Sequence, residues 1–158
     1  GAAGDKDVNT NFNPSTAGGN FTRDNGMVGG WLIGNNVENK ALITNATESF
    51  EIEIYPKYTN GNAIFAVNGG EVGAAYPADT SGLWIAQRTA SNALAAYHND
   101  SLFLSSNGAS TALTNTKLIS DTTLNTAAAL FIGASLTAGQ RTTVSTAMSA
   151  YMVGVGAA

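Results

Sequence analysis

The chain has 158 residues, of which 11% are charged, and its formal net charge is −4. This length fits one domain with one sizeable core, and a hydrophobic content of 44% excludes global disorder. Seven Lys and Arg against eleven Asp and Glu exclude the basic surface that nucleic-acid backbones require. No run reaches the roughly 18 apolar residues of a membrane span, so we expect neither a nucleic-acid partner nor membrane insertion.

Cysteine is absent and histidine occurs once, at His98. The composition therefore excludes disulfides, thiolate zinc sites and thiol nucleophiles. Acidic and amide residues are scattered through the turns without the regular spacing of a calcium loop, so we expect no metal and no cofactor. We interpret residues 1–8 as a flexible N-terminal segment or linker and residues 9–158 as a single domain.

Short apolar runs separated by turn residues predict a series of antiparallel strands. The predicted strands are 27–33, 40–44, 49–57, 63–67, 82–87, 94–98, 101–105, 117–120 and 130–134. Segment 49–57 alternates most clearly between apolar and polar residues. Its isoleucines are predicted to be buried, whereas Glu51 and Glu53 are predicted to lie on a solvated face. Segment 130–134 is predicted to be buried on both sides.

The two-residue loop Asn99-Asp100 predicts a tight hairpin between strands 94–98 and 101–105. The predicted cross-strand pairs are Tyr97 with Leu102, Ala95 with Leu104, and His98 with Ser101. The first two pairs are apolar and are predicted to face the core. The side chain of His98 is predicted to lie on the opposite, wetter face beside the turn.

The C-terminal part of the chain changes to a helical period. Thr137 and Gln140 have the spacing of a capping box. An apolar stripe follows at helical spacing, formed by Val144, Ala147, Met148, Tyr151, Met152 and Val155. The pattern predicts a helix over about 137–153 that packs on the strands. The whole chain is thus predicted to be an all-β, two-sheet antiparallel β-sandwich with one C-terminal helix.

Four segments in series carry a resemblance to a known family. They are NTNFNPSTAGGNFTRDNG, SFEIEIYPKY, GLWIAQRTASN with the later YHND, and LFIGASLTAGQRTTVSTAMSAYM. In this order they resemble a LamG-like, concanavalin A-type jelly-roll module, which recurs in tailed-phage virion proteins and bacterial surface proteins. The resemblance spans residues 9–151 and implies two curved sheets with a concave face on which relatives often bind glycans. Because the same fold hosts lectins, hydrolases and structural modules, it does not imply that this chain binds one.

The pair Glu51 and Glu53 is the sharpest enzymatic candidate. Laminarinase-like glycoside hydrolases share the jelly roll and carry catalytic carboxylates at alternate positions of a strand, and retaining hydrolysis needs two such groups. In this chain the third acidic position is occupied by Tyr55, so the favoured interpretation is a solvated or cross-strand-paired face. His98 could act as a general base, but no Ser lies in a nucleophile elbow, and an exposed turn histidine is favoured. We expect no enzyme.

Aromatic residues are the candidates for carbohydrate binding, because sugar rings stack on flat apolar faces. Trp84 and Tyr97 are predicted to lie in the core, which leaves Trp31, Tyr58 and Tyr76 as the carbohydrate-binding candidates. Among the cations, Arg88 is predicted to bridge to a carboxylate or to form a structural corner. Arg23 and Arg141 are predicted to be solvated surface charges.

These expectations combine into a functional hypothesis. The chain is interpreted as a non-enzymatic module on the outside of a phage particle, in a fibre, tail or decoration, with other virion proteins and host-surface glycans as partners. Fibre proteins are commonly trimers, which makes a homotrimer a candidate assembly. The alternatives are a small laminarinase-like glycoside hydrolase using Glu51 and Glu53, and an extracellular adhesin module of a bacterium.

Overall fold

The computed structural model describes residues 8–35, 39–45, 51–113, 116–120 and 126–156. Within these ranges the chain forms eleven strands and one helix. The strands are β1 (Val8–Asn9), β2 (Gly26–Ile33), β3 (Ile43–Asn45), β4 (Ile52–Tyr55), β5 (Asn62–Val67), β6 (Val72–Ala75), β7 (Gly82–Ala90), β8 (Ala93–His98), β9 (Ser101–Ser106), β10 (Leu118–Ser120) and β11 (Thr126–Gly133). The helix is α1 (Ala138–Gly154).

The strands form two antiparallel sheets. The six-stranded sheet has the order β1-β10-β3-β4-β5-β6, and the five-stranded sheet has the order β11-β2-β7-β8-β9. The prediction of an all-β sandwich with one C-terminal helix is confirmed. Residues 1–7 of the predicted N-terminal segment lie outside the described ranges, while Val8 pairs with Ser120 in the six-stranded sheet.

The core lies between the sheets and is formed by residues that alternate along the strands. Val28, Trp84 and Ala86 of the five-stranded sheet pack against Ile54 and Phe65 of the six-stranded sheet, and all five are fully buried. A second apolar layer lies on the outer face of the five-stranded sheet, beneath the helix. No helix of the described residues is long and apolar enough to span a membrane.

The hairpin β8–β9 forms at the predicted turn. Asn99 and Asp100 have φ values of 49° and 65°, which a two-residue turn that matches strand twist requires. The pairs Tyr97–Leu102 and His98–Ser101 are confirmed, but Ala95 with Leu104 is wrong. A bulge between Ala96 and Tyr97 shifts the register, so Ala96 lies opposite Leu104 and Ala95 lies opposite Ser105.

The predicted orientation of this hairpin is also wrong. Leu94 and Ala96 face the core, and Tyr97 packs in the outer layer against the helix side. Leu102, opposite Tyr97, is 60% exposed. Because residues two apart share a face, His98 lies on the core side with Ala96 rather than on the wetter face.

The capping box of the helix is confirmed. Thr137 accepts from the backbone N–H of Gln140, and the Gln140 side chain accepts from the backbone N–H of Thr137. The buried stripe is narrower than predicted, because Met152 is buried whereas Tyr151 and Val155 are exposed. The helix therefore contacts the sheet along a thin line and leaves most of its surface open.

Candidate functional site

The helix crosses the outer face of the five-stranded sheet and divides it. Met152 is 1% exposed and lies in one cluster with Met27, Trp31, Leu83 and Ile85, which project from β2 and β7. Trp31 is consequently only 7% exposed. The helix covers most of the indole, so most of its surface is not available for sugar stacking, contrary to the expectation from the sequence.

Hydrogen bonds to backbone groups fix the segment that leads into the helix. The side-chain amide of Gln87 donates to the carbonyl of Leu136 (3.2 Å), and its oxygen accepts from the Leu136 N–H (2.9 Å). Asn25 Oδ1 accepts from the N–H of Ser135 (2.8 Å). These bonds pair backbone N–H and C=O groups that would otherwise have no partner in the turn between β11 and the helix. They therefore fix the position at which the helix begins.

An ion pair joins the first turns of the helix to the β8–β9 hairpin. Arg141 Nε donates to Asp100 Oδ1 at 2.7 Å, and the Thr142 hydroxyl donates to Asp100 Oδ2 at 2.6 Å. The Arg141 guanidinium lies 3.7 Å from the centroid of the Tyr97 ring, a cation–π contact. The prediction that Arg141 is a solvated charge is wrong, because its side chain is only 12% exposed.

A recess on one side of the helix, which we call the Trp31 recess, has a volume of about 600 Å³. It lies between the helix and the ends of β2 and β7. Its lining includes Trp31, Ser81, Asn99, Ser145 and Ser149. The side-chain oxygen of Asn99 is already used within the fold, since Oδ1 accepts from the Leu83 N–H at 2.8 Å. The recess offers hydroxyl groups beside a buried indole.

A second recess, which we call the Tyr97 recess, has a volume of about 590 Å³ and lies across β7, β8 and β9. Both volumes fall in the range of small-molecule sites, about 300–1,000 Å³. Its polar lining includes Thr89, Asn92, Ser105 and Asn107 around the half-buried Tyr97. Among the described residues, the side chains of Asn92 and Asn107 have no hydrogen-bond partners and are exposed. Sequence reasoning missed this site because it assigned Tyr97 to the core, and apolar residues occur on both faces of β8, so local alternation does not show which face is turned inward.

Tyr58 and Tyr76 lie on the other sheet, away from both recesses. Tyr58 packs edge-on against Tyr55, with ring centroids 5.4 Å apart, and Tyr76 has the ammonium of Lys57 5.2 Å from its ring centroid. Both rings are half-buried. The structure therefore does not bring the three predicted carbohydrate-binding aromatics together, since Trp31 is in the five-stranded sheet.

Glu53 contradicts the predicted solvated face of β4, because it is only 1% exposed. Burial and, to a lesser extent, the nearby carboxylate of Glu71 together raise the pKa of its carboxyl from 4.5 to about 8. Its Oε1 has no hydrogen-bond partner among the described residues. Glu51 is half-buried, and neither recess includes either residue of the predicted catalytic pair.

His98 is likewise engaged in the structure. Its ring stacks on Trp84 with centroids 4.1 Å apart, and its Nε2 lies 2.7 Å from the carbonyl oxygen of Ser81. The Trp84 indole donates to the carbonyl of Thr80 at 2.8 Å. The expectation of an exposed turn histidine is wrong, because His98 holds the loop before β7 against the hairpin. In the part of the chain that the structure describes, no cluster of three or more His, Asp or Glu side chains could hold a metal.

Comparison with known proteins identifies a fold relative but no family. No protein-family model matches the chain, and the comparison with curated proteins finds no match. The crystal structure of a mutant of HCR/D is similar, with a TM-score of 0.56 and 16% sequence identity. The match covers 90% of this chain and 40% of the HCR/D chain. At this identity the likeness supports the β-sandwich fold alone.

Proposed function

We propose that this chain is a non-enzymatic, LamG-like adhesion module on the outside of a phage particle, and that it binds uncharged host-surface carbohydrate. The β-sandwich with its terminal helix supports the fold on which this proposal depends. The low charge of the chain, 11% of residues, suits a surface that recognises hydroxyl-rich ligands. Weak binding by one module gains strength when many copies are displayed on one particle.

The chemistry of the Tyr97 recess is the observation that carries the proposal. The described residues of its lining supply amide and hydroxyl side chains beside an aromatic ring, and none of them is Asp, Glu, Lys, Arg or His. Amides donate and accept at once, which suits the adjacent hydroxyls of a sugar, and an aromatic ring packs against the apolar face of the sugar. The ion pair of Asp100 with Arg141, which stacks on Tyr97, holds that ring in place before any ligand arrives.

The other aromatic candidates have lesser roles in this proposal. The Trp31 recess is a secondary carbohydrate subsite, at which the edge of the indole and the hydroxyls of Ser145 and Ser149 would contact the sugar. Tyr58 packs against Tyr55 beside β4, whereas Tyr76 packs in part against the core between the sheets. A module packed within the virion would use the exposed part of these rings for contact with other virion proteins.

Binding to neutral host polysaccharides, measured by titration calorimetry and on a glycan array, tests the proposal. The double variant Asn92→Ala, Asn107→Ala removes two exposed amides from the Tyr97 recess, and we expect it to weaken binding about 10-fold or more. Asn20→Ala, at an exposed position outside both recesses, is the matched control and should bind as the parent does.

Two other results would change the conclusion. Binding that survives the double variant but is lost in Ser149→Trp or in Tyr58→Ala, Tyr76→Ala would move the site to the Trp31 recess or to the six-stranded sheet. Absence of glycan binding, together with normal adsorption of particles that lack the module, would leave only a structural role. Immunogold labelling of assembled particles tests the virion placement and separates it from a bacterial adhesin.

A further inference from the structure

β11 ends the five-stranded sheet, and its outer side has no paired strand in the described part of the chain. It is eight residues long, with the sequence TAAALFIG, and contains neither a charged residue nor a proline. The other strands at sheet edges differ from it. β1 and β6 have two and four residues, and β9 has serine at three of its six positions.

The apolar side chains of β11 are only half covered. Leu130 and Ile132 pack against the core between the sheets, and Phe131 packs against the layer beneath the helix. All three remain half-buried, because β2 flanks them on one side and nothing described flanks them on the other. The sequence predicted burial on both sides for 130–134, and apolar layers do lie on both faces of this strand, so the remaining exposure is on the side of its open edge.

Natural proteins protect long edge strands with lysine, proline, short length or a bulge. β11 has only the bulge between Ala127 and Ala129, near its first residues. Residues 129–133 continue in regular register with β2, and their outward N–H and C=O groups form an open row of donors and acceptors. Such an edge matches a second, equally uncharged strand.

We propose that β11 pairs antiparallel with β11 of a second copy of this chain, across a two-fold axis, so that two five-stranded sheets become one ten-stranded sheet. A strand edge paired with itself in antiparallel orientation is self-complementary, as a two-fold interface requires. The absence of charge in β11 means that two copies approach without like-charge repulsion. Half-exposed Leu130, Phe131 and Ile132 would be buried further on both copies, which favours association.

Sedimentation velocity of the purified chain at micromolar concentration tests this pairing. Ala128 is exposed and lies at the bulge, so Ala128→Lys and Ala128→Glu should fold normally, as checked by circular dichroism. We expect the parent to be a dimer and each variant alone to be largely monomeric, with the dimer dissociation constant raised about 10-fold or more, because a charged side chain on an edge strand disfavours pairing with another strand. An equimolar mixture of the two variants should stay monomeric too, because an axis near residue 131 places the two residues 128 at opposite ends of the paired strands.

Ser105→Lys is the matched control, because it places the same charge at an exposed position of the other edge strand of this sheet, β9. We expect it to leave the dimer intact. A monomeric or trimeric parent, dissociation by Ser105→Lys instead of by the Ala128 variants, or a mixture that dimerises when neither variant does alone would each overturn the proposal.

Discussion

Arg88 and Glu53 are each 1% exposed, yet the fold treats their charges in opposite ways. Arg88 projects from β7 into the end of the sandwich, where Nε donates to the carbonyl of Val67 (2.7 Å) and Nη1 donates to those of Ser91 (3.1 Å) and Gly108 (2.9 Å). These carbonyls belong to β5, the β7–β8 turn and the loop after β9. One guanidinium thus joins both sheets and two connections.

Glu53 lies on the outer side of the six-stranded sheet without equivalent partners. The charged group that influences it is Glu71, which has a like charge, and the pKa of Glu53 is raised to about 8. At neutral pH the carboxyl is therefore mainly protonated, so the chain buries a neutral acid rather than an anion. The comparison teaches that a buried cation is retained where backbone carbonyls accept its N–H groups, whereas a buried carboxyl whose Oε1 receives no hydrogen bond from the described residues is neutralised instead.

Replacing Arg88 should produce the largest effect. Arg88→Met keeps the apolar bulk but leaves three carbonyls without their donor, and we expect the free energy of unfolding to fall by about 3–5 kcal/mol. Urea denaturation followed by Trp fluorescence measures this loss. Arg88→Lys retains the charge but reaches fewer of the three carbonyls, so its loss should be smaller. Equal stability of the Met variant and the parent would show that the carbonyl contacts of Arg88 contribute nothing net.

Glu53→Gln should raise the free energy of unfolding instead of lowering it, and this gain should depend strongly on pH. Because the folded-state pKa of Glu53 is raised from 4.5 to about 8, the stability that its protonated form provides is complete below pH 4.5 and is lost as pH rises through 8. The loss is about 1.4 kcal/mol for each pH unit inside that window. Gln does not titrate, so the variant should exceed the parent by about 2–3 kcal/mol near pH 6.5.

Denaturation curves between pH 4 and pH 9 test this expectation. The difference between Glu53→Gln and the parent should grow with pH and then level off above pH 8. Glu71→Gln, which removes the neighbouring carboxylate but keeps the burial of Glu53, should shift the midpoint of that dependence to lower pH. A difference that is constant across the whole range would contradict the raised pKa.

The sequence predicts local features well and fails where distant segments meet. Asn99-Asp100 predicted the hairpin turn and Thr137 with Gln140 predicted the helix start, because turn and cap chemistry acts within four residues. The alternation of β4 could not show that Glu53 would be covered, since burial depends on what packs over the sheet. Nor could it show that the helix would lie on Trp31, because an apolar stripe does not specify which sheet face it covers.

For the candidate site too, the sequence predicted the local chemistry but not the features that depend on contacts between distant segments. Composition indicated a low-charge polar surface, and the described residues that line both recesses include no charged side chain. Their positions could not be predicted, because the Trp31 recess forms where the helix meets β2 and β7, and the Tyr97 recess forms across β7, β8 and β9. Nor did the sequence show which face Tyr97 occupies, because β8 carries apolar residues on both of its faces.

The ion pair between Asp100 and Arg141 is more exposed than Arg88 and Glu53 but less exposed than Arg23, with side chains 24% and 12% exposed. Asp100→Asn removes the charge but suits the positive φ of 65° at this position, so the turn should remain. We expect a loss of about 0.5–1 kcal/mol that shrinks as salt is added. Arg23→Ala, which breaks the pair of Arg23 (57% exposed) with Asp24, is the control and should change the stability very little. Water reaches the pair of Asp100 with Arg141 but not the contacts of Arg88 with its carbonyls, so the ion pair should contribute less to stability. An equal loss for Asp100→Asn and Arg88→Met would show that solvent exposure does not set how much these interactions contribute.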